Sequence, residues 1–150
     1  MLTFAVERWK DIQGEIENLL NLHYAEMPFD IDVPLAIDKD AYRNLDEAGK
    51  LHILAARHGE RLVGYFAAFI GRHLHYNLLT AAMDVYFLRA DHRRGGNGVL
   101  LFIAFEKSLR LRGVEFALAT ARLDRDPAAQ SIFEAMGWEI SRVVCQKRLR

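Results

Sequence analysis

A glycine-rich segment between an extended apolar stretch and an apolar helix constrains this chain more than any other feature. The segment is Arg93-Arg94-Gly95-Gly96-Asn97-Gly98; it follows a strand predicted for residues 80–88 and precedes a helix predicted for residues 99–112. Glycine adopts positive φ angles and lets a backbone approach a ligand closely. The following helix directs unpaired N–H groups and the positive end of its dipole at the loop. The segment therefore predicts a phosphate or pyrophosphate site, with a flexible turn carrying solvated arginines as the alternative.

Two common nucleotide-binding motifs do not fit this loop. No Gly-Lys-Ser or Gly-Lys-Thr follows it, so it is not a P-loop. The Gly-x-Gly-x-x-Gly spacing of dinucleotide-binding folds is also missing. The loop therefore matches neither motif, and the phosphate site and the flexible turn both stay open.

Size and charge exclude several classes of protein. The 150 residues, 51% hydrophobic and 27% charged, suit a single domain spanning residues 1–150. Twenty Lys and Arg balance twenty Asp and Glu, which argues against nucleic acid or a membrane as partner. No stretch resembles a signal peptide or the ~20 apolar residues of a bilayer span. The lone Cys145 lies in an apolar stretch typical of a buried strand, and a cytoplasmic location is expected.

Helical and extended patterns alternate along the chain. Apolar residues recur at helical spacing from Ile12 to about Glu26, and two extended stretches, 51–57 and 61–71, flank a tight turn at His58-Gly59-Glu60. This order predicts the α/β class, with a mixed sheet that has helices on its faces. The other predicted elements are a first strand at 2–6, helices at 39–48 and from Asp126-Pro127 to Gly137, a buried strand at 114–119 and an extended segment at 138–149.

Asp84 is a carboxylate inside an otherwise apolar or aromatic strand, Ala81-Ala82-Met83-Asp84-Val85-Tyr86-Phe87-Leu88. A carboxylate in such a place is costly unless it is paired or used. Desolvation would raise its pKa toward the range of a general base. The alternatives are a base for catalysis and a structural Asp that pairs with a buried Arg or His or faces solvent.

Two further clusters are candidates for binding a substrate. His73 and His75 share a face if their segment is extended, and Tyr76 follows them. No metal is expected there, because no Cys or Glu stands at ligand spacing, so these three residues are candidate substrate-binding groups or simple loop residues. An acidic group hints at a cationic amine, with a solvated loop as the alternative. It consists of Asp30, Asp32, Asp38 and Asp40.

Two motifs together resemble the GNAT superfamily of N-acetyltransferases. The family signature Arg/Gln-x-x-Gly-x-Gly/Ala is matched by Arg93, Gly96 and Gly98. A second family stretch places an Asn, an Ala, an aromatic residue and Gly-Phe at fixed spacing. The residues at that spacing here are Asp126, Ala129, Phe133 and Gly137-Trp138, and Leu62-Val63-Gly64-Tyr65 is similar to the family's third strand. The stretch from His73 through the glycine loop is also similar to phage-encoded members.

The resemblance implies a fold, an activity and roles for named residues. The fold would be a mixed, mostly antiparallel central sheet flanked by helices on both faces. The activity would be transfer of an acetyl group from acetyl-CoA to a primary amine by direct attack on the thioester. Asp84 would be the base and Tyr86 a candidate acid. The cofactor-binding residues would be Tyr86, Phe87 and Leu88 along the pantetheine arm, Arg93, Arg94, Gly95, Gly96, Asn97, Gly98 and Val99 around the pyrophosphate, and Asp126 and Phe133.

Departures from the family pattern keep a second function open. Phe133 stands where the family usually has a Tyr that protonates the leaving thiolate, and Asp126 replaces an Asn. The alternative to an enzyme is a GNAT-fold module that binds CoA or a partner protein without turnover. The acceptor would be a small-molecule or protein amine, and the extended segment 138–149 could pair two copies into a homodimer.

Overall fold

The computed structural model describes residues 1–27, 33–122, 127–142 and 144–149. The chain forms two compact units, Met1–Thr120 and Ala121–Arg150. In the described residues, the first unit contains the strands and the first three helices, and the second contains the last helix. The elements are β1 (Leu2–Glu7), α1 (Trp9–Glu26), α2 (Lys39–Glu47), β2 (Leu51–His58), β3 (Arg61–Arg72), β4 (Leu79–Leu88), a 3₁₀ turn (Ala90–His92), α3 (Asn97–Leu111), β5 (Phe116–Leu118) and α4 (Pro127–Ala135).

The five strands form one sheet in the order β1-β2-β3-β4-β5. The first four strands pair antiparallel with their neighbours, and β5 pairs parallel to β4. The predicted turn at His58-Gly59-Glu60 joins β2 to β3, with Gly59 at a φ of 60°. The predicted mixed sheet, mostly antiparallel, is confirmed.

Helices cover both faces of this sheet, as predicted. Neighbouring residues of a strand point to opposite faces. Tyr65 of β3 therefore belongs to one face, where a core cluster forms with α1. Phe66 belongs to the other face, where its ring stacks on Phe105 of α3 at 3.7 Å between centroids. The α1 side of the core contains Ile12, Ile16, Leu19 and Leu20 of the helical stripe expected from the sequence, and also Trp9.

Helix α2 is fixed to the start of α1 by two adjacent residues. Arg8 donates from Nε to both carboxylate oxygens of the buried Asp46, at 2.8 and 3.0 Å. Trp9 stacks on Tyr42 with ring centroids 4.5 Å apart and planes 15° apart. Asp38 caps the helix, because its side chain accepts a hydrogen bond from the N–H of Ala41 at 2.9 Å. These contacts set where Tyr42 lies over the sheet.

Three expectations about the C-terminal third are wrong. The strand expected at 114–119 is the shorter β5, and it is an exposed edge rather than a buried strand, with Phe116 43% exposed. Cys145 is exposed. Residues 138–142 and 144–149 form no strand. Apolar runs of this length occur in buried and in edge segments alike, so composition alone did not separate the two cases.

Within the described ranges, no helix is both as long and as apolar as a bilayer span requires.

Candidate functional site

A β-bulge in β4 determines where Asp84 points. Ala67 of β3 pairs with Val85, whereas Ala68 pairs with Met83, so Asp84 is an extra residue in β4. Such bulges bend a strand and re-aim a side chain, and they are common beside active sites. Val85 packs against the α1 side of the core, and Asp84 also contacts that side through α2. The bulge therefore turns the carboxylate toward the face that α1 and α2 cover.

The Asp84 carboxylate lies half-buried beside two tyrosines. Tyr42 donates a hydrogen bond from Oη to Asp84 Oδ2 at 3.0 Å. Burial raises the pKa of Asp84, and the hydrogen bond from Tyr42 lowers it part of the way back. Burial and the nearby Asp84 charge also raise the pKa values of Tyr42 and Tyr65, so both phenols stay neutral. The partner of Asp84 is thus a neutral hydroxyl, and its carboxylate is suited to accept a proton.

Tyr65 extends this polar group toward α1. It is completely buried, and its hydroxyl lies 2.7 Å from Nδ1 of His23. His23 also stacks on Phe87 of β4, with ring centroids 5.0 Å apart. Neither Tyr42, Tyr65 nor His23 was predicted from the sequence. His23 lies in the apolar stripe of α1 and Tyr65 in an apolar strand, so the pattern indicated only core there, and no pattern singled out Tyr42.

The pairing between β4 and β5 is short. It covers Thr80 to Ala82 on β4 and ends at Ala82 opposite Leu118, although β4 continues to Leu88. The stretch beyond contains the predicted pantetheine-binding residues Tyr86, Phe87 and Leu88. A ligand that adds to the edge of a strand needs a stretch of that strand whose backbone does not pair with a neighbouring strand.

The glycine loop joins the end of β4 to α3 with two residues at positive φ. Gly95 has a φ of 66° and Gly96 a φ of 79°, which side chains with a Cβ rarely adopt. Gly96 is the N-cap of α3, and the helix starts at Asn97, two residues earlier than predicted. Gly98 and Val99 therefore lie in the first turn, where backbone N–H groups are available to an anion.

Arg93 contacts three residues of the first unit. Its Nε donates to the carbonyl of Leu88 at 2.7 Å, and Nη2 lies 2.5 Å from Oε2 of Glu26 at the end of α1. Its guanidinium lies 5.4 Å from the ring centroid of Phe87. This side chain thus links the loop to α1 and to the end of β4.

A cavity of ≈170 Å³ lies beside the glycine loop, away from Asp84. Its lining includes Arg94 and Asn97 from the loop, and His58 and His92. The imidazoles of His58 and His92 meet at 3.3 Å between Nδ1 and Nε2. In the part of the chain that the structure describes, no three His, Cys, Asp or Glu residues are placed to bind a metal ion.

The candidate substrate-binding residues His73, His75 and Tyr76 lie at the tip of the hairpin between β3 and β4. The tip is a turn, with Asn77 at a φ of 54°, so the condition of an extended segment for His73 and His75 is not met. Their rings form a cluster, with His73 and Tyr76 centroids 4.8 Å apart. Strand β4 begins at Leu79, directly after this tip, and Asp84 is five residues further along the strand. At ~3.3 Å per residue, Asp84 lies roughly 16 Å from the start of β4. A role in binding the acceptor stays a prediction.

Tyr86, the candidate acid, packs on the other side of the sheet from Tyr42. Its ring centroid lies 5.3 Å from that of Phe66 and 5.2 Å from that of Phe102 of α3. Asp84 turns toward α2 instead. The structure therefore does not bring the Tyr86 ring and the Asp84 carboxylate together on one face, and the role of Tyr86 as an acid stays a prediction.

A buried Ser–His pair is structural rather than catalytic. His52 Nε2 lies 2.7 Å from Ser108 Oγ, and that hydroxyl donates to the carbonyl of Phe105 at 2.7 Å. Arg112 donates to His52 Nδ1 at 3.2 Å, so Nδ1 is the acceptor nitrogen and Nε2–H is the donor to serine. Burial lowers the pKa of His52 to about 4. The imidazole thus cannot accept the serine proton, as a nucleophilic pair would require.

The second unit contains the remaining motif residues. Helix α4 confirms the predicted short helix, and Gly137 follows it with a φ of 82°. Phe133 is buried and packs against Trp138 with ring centroids 4.9 Å apart. Asp126, Asp30 and Asp32 lie outside the described residues. The role of Asp126 in binding CoA stays a prediction.

Comparisons with known proteins agree with this architecture. The structure of the aminoglycoside acetyltransferase meta-AAC0020 from an uncultured soil metagenomic sample, in complex with sisomicin, has 16% identity and a TM-score of 0.78; the match covers 99% of this chain and 97% of that one. The ribosomal-protein-alanine N-acetyltransferase of Brucella melitensis has 16% identity and a TM-score of 0.75 over 100% of both chains. The enzyme AAC(6')-Iy, in complex with a bisubstrate analog, CoA-S-monomethyl-acetylneamine, has 18% identity and a TM-score of 0.67, with 100% of this chain and 99% of that one covered.

Identities this low show the fold alone. None of the curated proteins matches the sequence. The family comparison is more direct, because the model of the acetyltransferase (GNAT) family matches residues 16–138, which include β4, the glycine loop and α4. The chain therefore belongs to the acetyltransferase (GNAT) family.

Proposed function

We propose that the chain is an N-acetyltransferase that uses acetyl-CoA to acetylate a primary amine. The observation that carries this proposal is the half-buried carboxylate of Asp84, which a bulge turns toward α1 and α2 on the strand that leads into the glycine loop. A family member that only binds CoA has no need of a costly carboxylate there. The family membership supports the reaction class.

The residues present fit the shape and charge of acetyl-CoA. The β4–β5 pairing stops at Ala82, so β5 does not pair with the later part of β4, where an extended pantetheine arm would bind. Around Gly95 and Gly96 a Cβ would meet nothing within 4 Å, so the loop backbone is open to a pyrophosphate. The first turn of α3, at Gly98 and Val99, supplies backbone donors. Acetyl-CoA, when bound, supplies the acetyl thioester.

Asp84 would remove the proton that blocks the acceptor. A primary amine with a pKa near that of lysine, ~10.4, is an ammonium ion at neutral pH and cannot attack a carbonyl. Transfer of that proton to a carboxylate whose pKa is raised costs less than transfer to an ordinary exposed Asp. The carboxylate also attracts the ammonium ion before the transfer. Binding and deprotonation of the amine are thus assigned to one group.

The acidic residues indicate less about the acceptor than the sequence analysis expected. Asp38 caps α2, and Asp40 pairs with Arg43 at 2.5 Å, so both have roles within the fold. The structures with similar folds include an acetyltransferase in complex with the aminoglycoside sisomicin and a ribosomal-protein-alanine N-acetyltransferase. We therefore propose a small-molecule amine as the first class to test, with peptide N-termini as the second.

The test begins with calorimetry of acetyl-CoA and CoA and continues with a thiol-release assay over aminoglycosides, polyamines and peptides with an N-terminal alanine. We expect binding of acetyl-CoA and thiol release with at least one amine. Asp84→Asn should lower turnover about 10²-fold or more while acetyl-CoA affinity stays the same. Lack of acetyl-CoA binding at millimolar concentration would contradict the proposal.

Phe133 favours a second candidate function, a module that binds CoA or a partner protein without turnover. This residue is buried beside Trp138 and carries no hydroxyl. Binding of acetyl-CoA without thiol release across the whole amine panel would support this second function.

A further inference from the structure

We propose that Tyr42 is the positioning residue of the acceptor site: its hydroxyl holds Oδ2 of Asp84 and directs Oδ1 at the acceptor amine. This inference rests on the proposed acetyltransferase function for its effect on turnover. The hydrogen bond between Tyr42 and Asp84, 3.0 Å long, joins α2 to the bulge of β4. Residues 42 apart in sequence thus form the polar centre of the site.

The position of Tyr42 is fixed from several directions. Its ring stacks on Trp9, which is only 1% exposed, and the end of α2 is bound through Asp46 to Arg8. Lys39 at the start of α2 pairs with Glu17 of α1 at 2.9 Å. A phenol held in this way has little freedom, so its hydroxyl restricts the Asp84 carboxylate to one orientation. Such restriction is what a positioned base requires.

The hydroxyl also acts on the charge of Asp84. Burial raises the pKa of this carboxyl, and the Tyr42 hydrogen bond is the interaction that lowers it. Among the described residues, this side also holds Tyr65 of β3, whose pKa is raised, and His23 of α1, which contacts the Tyr65 hydroxyl. The charged residues that join α1 to α2 are paired with each other, Arg8 with Asp46 and Lys39 with Glu17. Neither phenol carries charge at neutral pH, so Tyr42 stabilises the carboxylate by donating a hydrogen bond.

The experiment compares Tyr42→Phe with wild type over pH. Phenylalanine keeps the ring that stacks on Trp9, so only the hydroxyl is lost. Without this donor the pKa of Asp84 rises further, and the acid limb of the kcat/KM profile should move to higher pH. We expect a loss of activity that is largest on the acid limb and shrinks as pH rises, with unchanged acetyl-CoA affinity. An unmoved acid limb overturns the proposal.

Tyr24→Phe is the matched control. Tyr24 is a tyrosine of α1 at a half-buried position, and its hydroxyl donates to the carbonyl of Val33 rather than to a carboxylate. Removal of that hydroxyl should leave the position of the acid limb unchanged. The double variant Tyr42→Phe with Asp84→Asn adds a second control: if Tyr42 acts through Asp84, Tyr42→Phe costs no further activity once Asp84 is Asn.

A direct titration separates this proposal from the proposed function. The carboxyl carbon of Asp84 is followed by NMR against pH in wild type and in Tyr42→Phe, with Asp84→Asn to assign the signal. A midpoint at higher pH in Tyr42→Phe supports the proposal, and an equal midpoint overturns it. This readout needs no turnover, so a wild type that acetylates no amine refutes the acetyltransferase proposal alone.

Discussion

Arg93 Nη2 lies 2.5 Å from Oε2 of Glu26, so the first arginine of the glycine loop is paired with the last residue of α1. The same side chain donates to the carbonyl of Leu88 at 2.7 Å. A pyrophosphate bound in the glycine loop would compete with Glu26 for this guanidinium. The ion pair is partly exposed, with side chains 45% and 40% accessible, so the competition is expected to be modest.

Glu26→Gln should therefore strengthen acetyl-CoA binding. Removal of the carboxylate frees Arg93 for the phosphates and removes a repulsive charge. We expect a dissociation constant about two- to fivefold lower at low salt, since exposed pairs contribute ~0–1 kcal/mol, and a smaller effect at high salt. Calorimetry at two salt concentrations measures this. Glu106→Gln is the control, because Glu106 pairs with Arg110 within α3, and it changes net charge equally. Weaker binding by Glu26→Gln would contradict the expectation.

Gly96→Ala should impair acetyl-CoA binding by more than its backbone strain explains. Gly96 has a φ of 79°, and Gly113, which follows α3, has a φ of 81°, with open space around both. Alanine in this conformation costs about 1 kcal/mol at either place. Both variants should thus lose similar stability in urea unfolding. Only Gly96→Ala adds a methyl group to the proposed pyrophosphate site, so only it should weaken acetyl-CoA binding, ~10-fold or more. Equal affinities would place the pyrophosphate elsewhere.

Gly64→Ala should destabilise the junction between β3 and β4. A Cβ at Gly64 would lie 2.7 Å from the carbonyl oxygen of Phe87 and 2.8 Å from Cδ1 of Leu88. Because one of these atoms belongs to the backbone, β4 must shift, and we expect ~1–3 kcal/mol lower free energy of unfolding. Gly71→Ala on the same strand is the control, since nothing lies within 4 Å of a Cβ there. Chemical denaturation of both variants decides; equal stability would show that β4 moves without cost.

The sheet and the glycine loop were accessible from the sequence because their signals are local. The turn at Gly59, the apolar stripe of α1 and the glycines before α3 depend on residues within a few positions of each other. The exposure of Phe116 and Cys145 was missed for the opposite reason. Whether an apolar residue is covered depends on distant segments, which periodicity does not describe.

The centre of the candidate site was predicted only in part. Asp84 was recognisable, because a carboxylate among apolar residues is unusual. Its direction depends on the bulge, which is a mismatch between β3 and β4 and has no sequence motif of its own. Tyr42 was inaccessible for a related reason, since it meets Asp84 only after α2 packs on the core.

The pH dependence of stability should contain a contribution from His52. Burial lowers the pKa of His52 to about 4 in the folded chain, against ~6.5 for an unperturbed His. The unfolded chain therefore binds a proton as pH falls below ~6.5, whereas the folded chain does so only near pH 4. The contribution is fully present above pH 6.5 and is lost as pH falls, roughly 2 kcal/mol between pH 7 and pH 5.

Urea unfolding of His52→Gln should show a smaller drop over this pH range than wild type. The exposed His75, changed to Gln, should leave the drop unchanged. If wild type and His52→Gln lose equal stability between pH 7 and pH 5, the imidazole of His52 is not held neutral.

Phe133→Tyr tests whether the absent hydroxyl limits turnover. The resemblance to the family places an acid at this position, and Phe133 has none. Tyrosine adds one oxygen to a ring that packs on Trp138, so a stable fold is expected and thermal unfolding checks it. In an enzyme that lacks an acid here, thiol release should rise, by up to the ~10²-fold that general acid catalysis supplies. A slower variant with unchanged acetyl-CoA affinity would show that another group, such as Tyr86 or Tyr76, already donates the proton. No thiol release in either protein would favour the binding module.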